Sequence, residues 1–150
     1  MINNEITLTV KLPSDINTCW RAITDWNRQG DWMLQTKVWS EEGSDNSLPT
    51  TIYAFTGPLY RKYPFAKFLG VLDIMKVTHL DAPYRCDVVH IGKVIQGTGT
   101  FILEEISDSS TKFIWSETIK APRLIFALIK PAISIGVLIS LKRLSRILAQ

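Results

Sequence analysis

The sequence predicts an α+β fold in which one antiparallel sheet of about six or seven strands packs against a long C-terminal helix. Three observations support this prediction. A strand and a short helix open the chain, turn residues divide its middle into strands at regular intervals, and an apolar helical pattern fills its end. The length of 150 residues fits a single domain covering residues 1–150.

The first strand and the first helix are predicted from their periodicity. Residues 5–12 alternate apolar and polar side chains, which is typical of a half-buried strand. Pro13 ends this strand, and Ser14 is the expected N-cap of the helix that follows. From Ile16 to Trp26 apolar residues recur at helical spacing, which predicts a short amphipathic helix.

The middle of the chain predicts a meander of antiparallel strands, because turn signals separate its apolar segments at regular spacing. The predicted strands are residues 36–40, 50–56, 71–80, 84–95, 98–106 and 112–119. A polar turn is expected at 42–46. Residues 59–69, in which aromatic and basic side chains alternate, are expected to form a long loop or a short helix.

The final helix is predicted over residues 122–148, with Pro131 and Gly136 expected to weaken or kink it. Residues 124–141 carry a single charge, that of Lys130. Three placements fit this composition: burial against the sheet, contact with a membrane surface, or a membrane span. We expect burial, because a helix held by a sheet must be apolar over much of its circumference.

Charge and cysteine usage limit the class of protein. The net charge is +3, and Glu117 is the last acidic residue, so the chain ends in a basic, apolar segment. Cys19 and Cys86 are far apart and only two histidines are present, so neither a disulfide nor a metal site is expected. The first residues lack the pattern of a signal peptide, which predicts a cytoplasmic protein.

Several short motifs, taken in their order along the chain, resemble the START-like (SRPBCC, birch-pollen-allergen-like) superfamily, in its polyketide cyclase/dehydrase and lipid-transport branch. The motifs are residues 12–14, 19–20, 23–26, 31–33, 77–83, 97–101 and 111–115. The resemblance covers nearly the whole chain. The segment 59–69 is longer than in the family pattern, and the final helix is more apolar.

The resemblance implies a helix-grip fold, in which a curved sheet wraps around the long C-terminal helix and encloses a hydrophobic cavity. We therefore expect a cavity of roughly a few hundred cubic ångströms, as small ligands require. Members of this family bind lipids, polyketides, hormones or quinones, and a minority catalyse cyclisation or dehydration. The family has no universal catalytic residues, so none is transferred, and no cofactor is expected.

His90 and Glu117 are the candidate catalytic residues. If Cys86 and His90 share the inner face of their strand, His90 points into the cavity as a general base or as a hydrogen-bond donor. If Trp115 faces inward, Glu117 follows it and becomes a carboxylate in an apolar pocket. The alternatives are an ordinary buried or surface histidine and an exposed glutamate at the sheet rim. Asp73 is assigned no chemistry.

Aromatic and polar residues predicted to face inward form the candidate ligand site. These residues are Trp32, Tyr53, Phe55, His90, Phe101, Trp115 and Glu117. The glycines of residues 97–99 continue into a strand, so they indicate close backbone packing and not a phosphate-binding loop.

The basic C-terminal residues Lys142, Arg143 and Arg146, with the aromatic-basic loop, are the candidate contacts with an anionic membrane. The first hypothesis for function is a carrier that binds a hydrophobic small molecule. The second is a polyketide cyclase or dehydratase that uses His90 or Glu117 for proton transfer. The third is a membrane- or protein-interaction module. No recognition motif for nucleic acid is present, so that partner is not expected. The oligomeric state is left open.

Overall fold

The structure, a computed structural model, describes residues 2–41, 50–59 and 62–150. Its elements are β1 (Ile2–Leu12), α1 (Ile16–Thr24), a first 3₁₀ helix (Trp26–Asp31), β2 (Thr36–Glu41), β3 (Thr51–Thr56), a second 3₁₀ helix (Pro64–Leu69), β4 (Val71–Asp81), β5 (Arg85–Ile91), β6 (Gln96–Ser107), β7 (Ser110–Ala121) and α2 (Arg123–Leu148). The predicted turn at 42–46, and residues 60 and 61 of the predicted loop, lie outside the described residues.

The seven strands form one antiparallel sheet in the order β1-β7-β6-β5-β4-β3-β2. Strands β2 to β7 pair with their sequence neighbours, as the regular turn spacing predicts, and β1 joins the sheet beside β7. Register shifts after Val77 and Glu105 mark bulges, which bend the strands that contain them. The predicted α+β architecture is confirmed, although β5 ends at Ile91 and is shorter than expected.

Asp15, and not Ser14, caps α1. The Asp15 carboxylate accepts a hydrogen bond of 3.0 Å from the backbone N–H of Thr18. A carboxylate at this position satisfies an otherwise unpaired N–H group and interacts favourably with the positive end of the helix. The Ser14 carbonyl instead accepts a 2.8 Å hydrogen bond from the Thr111 hydroxyl, which links the start of α1 to β7. The helix also ends earlier than predicted, at Thr24.

The hydrophobic core lies between one face of the sheet, called the inner face here, and the helices α1 and α2. Helix α2 contributes only its C-terminal half to this core. The core residues of at most 1% exposure include Leu12, Ile23, Phe113, Leu141 and Leu144.

Helix α2 runs without interruption through Pro131, and the prediction that the sheet buries it is wrong for most of its length. Of its 26 residues, four are buried: Phe126, Ser140, Leu141 and Leu144. Its length and mean hydropathy of 2.3 would allow it to cross a membrane, and 17% of that apolar window is buried. Most of the apolar surface of α2 therefore has no protein partner within the described residues.

Both ends of α2 are attached to the domain. Near its start, Phe126 packs against Ile6 of β1 and Ala121 of β7. In its C-terminal half, the Ser140 hydroxyl accepts a 2.8 Å hydrogen bond from the backbone N–H of Leu34. Between these attachments α2 follows β1, which is an edge strand of the sheet.

The glycines of β6 allow close packing inside the sheet, as predicted. Gly97 has φ +144°, and a Cβ at this position would overlap the carbonyl oxygen of Thr118 on β7. A Cβ on Gly99 would lie 3.1 Å from a carboxylate oxygen of Glu117. The missing side chains leave room for the neighbouring backbone at the first glycine and for the Glu117 carboxylate at the second.

We predict that the C-terminal half of α2 anchors this helix. Leu141→Ala or Leu144→Ala leaves a cavity in the core and should lower the free energy of unfolding by about 2–5 kcal/mol. Leu128→Ala on the same helix is the matched control, because Leu128 is 72% exposed. It should change stability by less than about 0.5 kcal/mol. Urea denaturation measures all three variants, and equal losses would contradict the described anchoring.

Candidate functional site

A pocket of about 120 Å³ lies on the inner face of the sheet. Strands β3 to β7 form its floor, and Trp26, Gln29 and Met33, in and just after the first 3₁₀ helix, form the opposite wall. The pocket is smaller than the few hundred cubic ångströms expected from the family fold, because inward side chains such as Phe101 and Trp115 occupy part of the space.

Four predicted site residues line this pocket: His90, Phe101, Trp115 and Glu117. Strict alternation along β5, β6 and β7 places them there, because side chains two residues apart share one face of a strand. The predicted inward orientation of His90 and Glu117 is therefore confirmed.

The prediction that Tyr53 and Phe55 face the cavity is wrong, because both residues lie on the outer face of the sheet. Their strand neighbours Ile52 and Ala54 face the pocket, so the alternation of β3 directs the two aromatic rings outward. Tyr53 stacks on Trp39 of β2, with ring centroids 5.4 Å apart.

The prediction that Trp32 lines the cavity is also wrong. Trp32 is buried in the core and is not part of the described pocket lining. Its ring meets that of Trp115 edge to face, with centroids 6.3 Å apart. Trp32 therefore supports a wall residue and does not itself face the pocket.

The described lining also contains no residue of α2. The prediction that the cavity lies between the sheet and the C-terminal helix is therefore wrong for this pocket. Helix α2 lies beside β1, away from strands β3 to β5, so the first 3₁₀ helix covers this part of the inner face instead. The first 3₁₀ helix, which contains Gln29 and ends two residues before Met33, begins two residues after α1 ends.

His90 lies between two carboxylates, one on the adjacent strand β4 and one on β7, the strand beyond β6. Its Nδ1 is 2.9 Å from both carboxylate oxygens of Asp73 on β4, and its Nε2 is 2.8 Å from Oε2 of Glu117 on β7. The other Glu117 oxygen accepts a 2.9 Å hydrogen bond from the indole N–H of Trp115. The His90 side chain is 5% exposed, and those of Asp73 and Glu117 are each 14% exposed.

Two opposing effects act on the pKa of His90. Burial, the largest single influence, lowers it, but the hydrogen bonds to Asp73 and Glu117 and the negative charges of these groups raise it. The result is a pKa of about 10. His90 is therefore an imidazolium at neutral pH, and the cluster of Asp73, His90 and Glu117 carries one net negative charge when both carboxylates are ionised.

This protonation state decides what His90 can do. Both ring N–H groups are donated to carboxylates, so the ring has no lone pair for accepting a proton or for binding a metal ion. The predicted roles of His90 as a general base and as a hydrogen-bond donor to a ligand do not fit this geometry at neutral pH. The arrangement instead holds two carboxylates in fixed positions beside an apolar pocket.

Asp73 is the site residue that the sequence reasoning missed. The signal was available in the alternation of β4, where Val71, Asp73, Met75 and Val77 form the inward set. An aspartate within such an apolar set needs a partner, because an unpaired buried carboxylate is costly. That partner, His90, lies on the adjacent strand β5.

The predicted membrane contacts Lys142, Arg143 and Arg146 lie in the last turns of α2. Lys142 and Arg146 are exposed, whereas Arg143 donates a 3.1 Å hydrogen bond to the backbone carbonyl of Asp31. They lie roughly 30 Å along the helix from its start. The β3–β4 loop lies at the sheet end where α2 starts. The contact of these cations with a membrane stays a prediction.

The fold is shared with solved structures of distant sequence. A START superfamily protein from Mycobacterium smegmatis has a TM-score of 0.75 at 10% identity, covering 96% of this chain and 98% of that chain. The Zhui aromatase/cyclase from Streptomyces sp. R1128 has a TM-score of 0.73 at 10% identity, covering 99% and 94%. A protein from Thermus thermophilus has a TM-score of 0.74 at 11% identity, covering 97% of each chain. Neither a protein-family model nor a curated protein matches the sequence.

We predict that His90 makes stability depend on pH. A histidine pKa raised from 6.5 to about 10 means that its stabilising contribution is complete below pH 6.5 and is lost as the pH rises toward 10. Within this window the free energy of unfolding should fall by up to about 1.4 kcal/mol per pH unit. Denaturation of the wild type and of His90→Gln measures the difference in slope. His79→Asn, at an exposed position of β4, is the control and should keep the wild-type slope.

The protonation state can also be observed without a substitution, in case His90→Gln does not fold. Nitrogen-15 NMR of the wild type at pH 8 should show two protonated ring nitrogens for His90. A neutral His90 ring at this pH would contradict the described ion cluster.

Proposed function

Because the chain has the helix-grip fold of START-like proteins, we propose that it binds a hydrophobic small molecule, such as a lipid, polyketide or isoprenoid, and carries it without transforming it. One observation carries this proposal. The pocket is lined mainly by apolar side chains, and its charged side chains, Asp73, His90 and Glu117, form a single cluster at one wall. Such a site gains affinity from apolar burial and orientation from a few polar groups.

The pocket volume limits how much of a ligand is enclosed. An apolar cavity of about 150 Å³ holds a benzene ring, so 120 Å³ suits one ring or a short chain segment. The lining reaches the last residue of β3, Thr56, and the first residue of β4, Val71, and Thr56 is exposed. The remainder of a longer ligand would leave the pocket over this rim.

The ion cluster favours one chemical class of ligand. Its net negative charge disfavours a carboxylate or phosphate in the pocket, because a like charge at low dielectric is repelled. The oxygens of Asp73 and Glu117 are acceptors, so they favour a hydroxyl or an amine. The proposed ligand is therefore an apolar molecule with a hydrogen-bond donor and no negative charge.

An enzyme of the cyclase or dehydratase type is the second candidate. The observation that favours it is the shared fold with an aromatase/cyclase, together with titratable groups in the pocket. The geometry of His90 counts against it, since both ring nitrogens are engaged by carboxylates. Proton transfer would have to start from Glu117 or Asp73.

We predict that filling the pocket abolishes binding. Ala54→Phe places a ring in the pocket, whereas Thr51→Phe places one on the outer face of the same strand. Native mass spectrometry of protein purified gently from its own cells should show a hydrophobic molecule on the wild type and on Thr51→Phe, and none on Ala54→Phe. Uptake of N-phenyl-1-naphthylamine should follow the same order. A wild type that carries no ligand and takes up no probe would contradict the proposal.

We also predict a preference among ligands of equal chain length. Dodecanol and dodecylamine should displace the naphthylamine probe more effectively than dodecanoate. Glu117→Gln should reduce this preference by about tenfold, the worth of one charge-assisted hydrogen bond. Glu104→Gln, on the surface, is the control and should keep it. Equal displacement by all three ligands would contradict the assigned role of the cluster.

Turnover separates the two candidate functions once a bound molecule is identified. A carrier releases this molecule unchanged from the wild type, His90→Gln and Glu117→Gln. Conversion by the wild type that is lost in both variants would establish the enzyme instead.

A further inference from the structure

The N-terminal half of α2 is an apolar surface that the described part of the chain leaves uncovered. Leu124 and Leu128 are 74% and 72% exposed, and Ile125, Ile129 and Ile135 are also exposed. Contiguous apolar surface of this kind marks an interaction site in a folded protein.

Further exposed apolar residues lie at the same end of the sheet. The register places the end of β7 beside the start of β6, the end of β5 beside the start of β6, and the end of β3 beside the start of β4. The start of α2, the β5–β6 turn and the β3–β4 loop therefore follow one another along this end of the sheet. Phe65 and Phe68 in the loop and Val94 in the turn are 74%, 77% and 71% exposed. We call the described residues of 57–70, 92–95 and 122–130 the apolar end.

Charge at the apolar end has one sign. Residues 57–70 and 92–95, and all residues after Glu117, contain no acidic residue. Among the described side chains, the cations of these segments and of the end of β7 are Lys62, Lys93, Lys120, Arg123 and Lys130. Of the acids on the strands at this end, Asp73 and Glu117 lie inside the pocket, and Glu5, which precedes the inward Ile6, faces the outer side of β1. A surface that mixes exposed aromatic and aliphatic groups with cations complements an anionic bilayer.

The observations favour a bilayer surface over a membrane span. Phe126 packs on β1 near the start of α2, and Leu141 and Leu144 lie in the core near its end. Crossing a bilayer would require α2 to leave both attachments. The uncovered stretch between them lies along the domain, so it can lie in the plane of the interface but not across it.

They also favour a bilayer over a second copy of the chain. A two-fold symmetric contact places the same patch on both subunits, so the cations of the apolar end would face each other. No acid in these segments could compensate them. An anionic lipid surface supplies the opposite charge over the whole area.

We propose that the apolar end docks on the surface of an anionic lipid bilayer. The N-terminal half of α2 and the β3–β4 loop insert their apolar side chains at the level of the headgroups, and the cations contact lipid phosphates and carboxylates. The pocket rim at Thr56, Val71 and Ile95 lies at this end, so docking brings it to the bilayer. Docking goes beyond the proposed function and does not require a ligand in the pocket.

Vesicle cosedimentation tests the proposal with the full chain. The wild type should bind vesicles of phosphatidylcholine mixed with phosphatidylserine, bind phosphatidylcholine alone more weakly, and lose affinity at high salt. Lys93→Gln combined with Arg123→Gln should lower the partition coefficient by about 25-fold, since each cation contributes about fivefold. Leu124→Ser combined with Leu128→Ser should lower it by at least about tenfold.

Two control pairs locate the surface. Tyr84→Ser with Ile106→Ser changes exposed apolar residues at the opposite end of the sheet, and Lys142→Gln with Arg146→Gln changes exposed cations at the far end of α2. Both pairs should bind vesicles as the wild type does. All of these positions are exposed, so circular dichroism and the unfolding midpoint should stay unchanged.

Four results would overturn the proposal. The wild type could fail to bind anionic vesicles, or the Leu124/Leu128 pair could bind as well as the wild type. The same pair could instead abolish a dimer in analytical ultracentrifugation without any vesicle binding, which would assign the surface to a second copy. Finally, wild-type protein that leaves vesicles only with detergent, and not at high salt, would indicate a spanning helix. Because vesicle binding is read without a ligand, a failed docking test leaves the pocket experiments unaffected.

Discussion

The inner face of a seven-stranded sheet is wider than one helix, so the position of α2 decides which part of this face stays uncovered. Helix α2 follows the edge strand β1, where Phe126, Leu141 and Leu144 attach it. Strands β3 to β5 are therefore left to the short segment around Gln29 and Met33, which covers them incompletely. The pocket and the exposed half of α2 are two consequences of this placement. A helix centred over the sheet would fill the pocket, and its own apolar surface would be buried.

The ion cluster is costly to bury, and its geometry explains how it persists. Each carboxylate loses hydration beside apolar neighbours, and attraction to an imidazolium offsets this loss only when the hydrogen bonds are well formed. Contacts of 2.8 and 2.9 Å on both sides of His90, and a further bond from Trp115 to Glu117, meet that condition. The cluster also crosses β4, β5 and β7. Removal of His90 would leave the carboxylates of Asp73 and Glu117 close together without a positive charge between them. The ion cluster therefore links the positions of these three strands.

Prediction from the sequence succeeded where a periodic rule governed the outcome. Alternation with period two placed His90 and Glu117 on the inner face, and turn spacing predicted the meander. It missed Asp73, because an inward carboxylate acquires a role only through a partner on another strand. The prediction that Tyr53 faces the pocket is wrong, because aromatic character alone does not indicate which face of a strand a residue occupies. The burial of α2 was wrong because composition is the same for a helix packed on protein and for one exposed to another apolar phase.

The charges of the molecule follow a gradient from the apolar end into the pocket. Cations such as Lys93 and Arg123 lie outside the rim, and the net negative cluster of Asp73, His90 and Glu117 lies inside it. A bilayer held by the outer cations presents anionic headgroups, and these are repelled by the cluster within. A neutral or cationic amphiphile in the same bilayer meets no such barrier. If the apolar end docks as proposed, the two charge sets act together: the outer set favours an anionic surface, and the inner set disfavours the anionic lipids of that surface as ligands of the pocket.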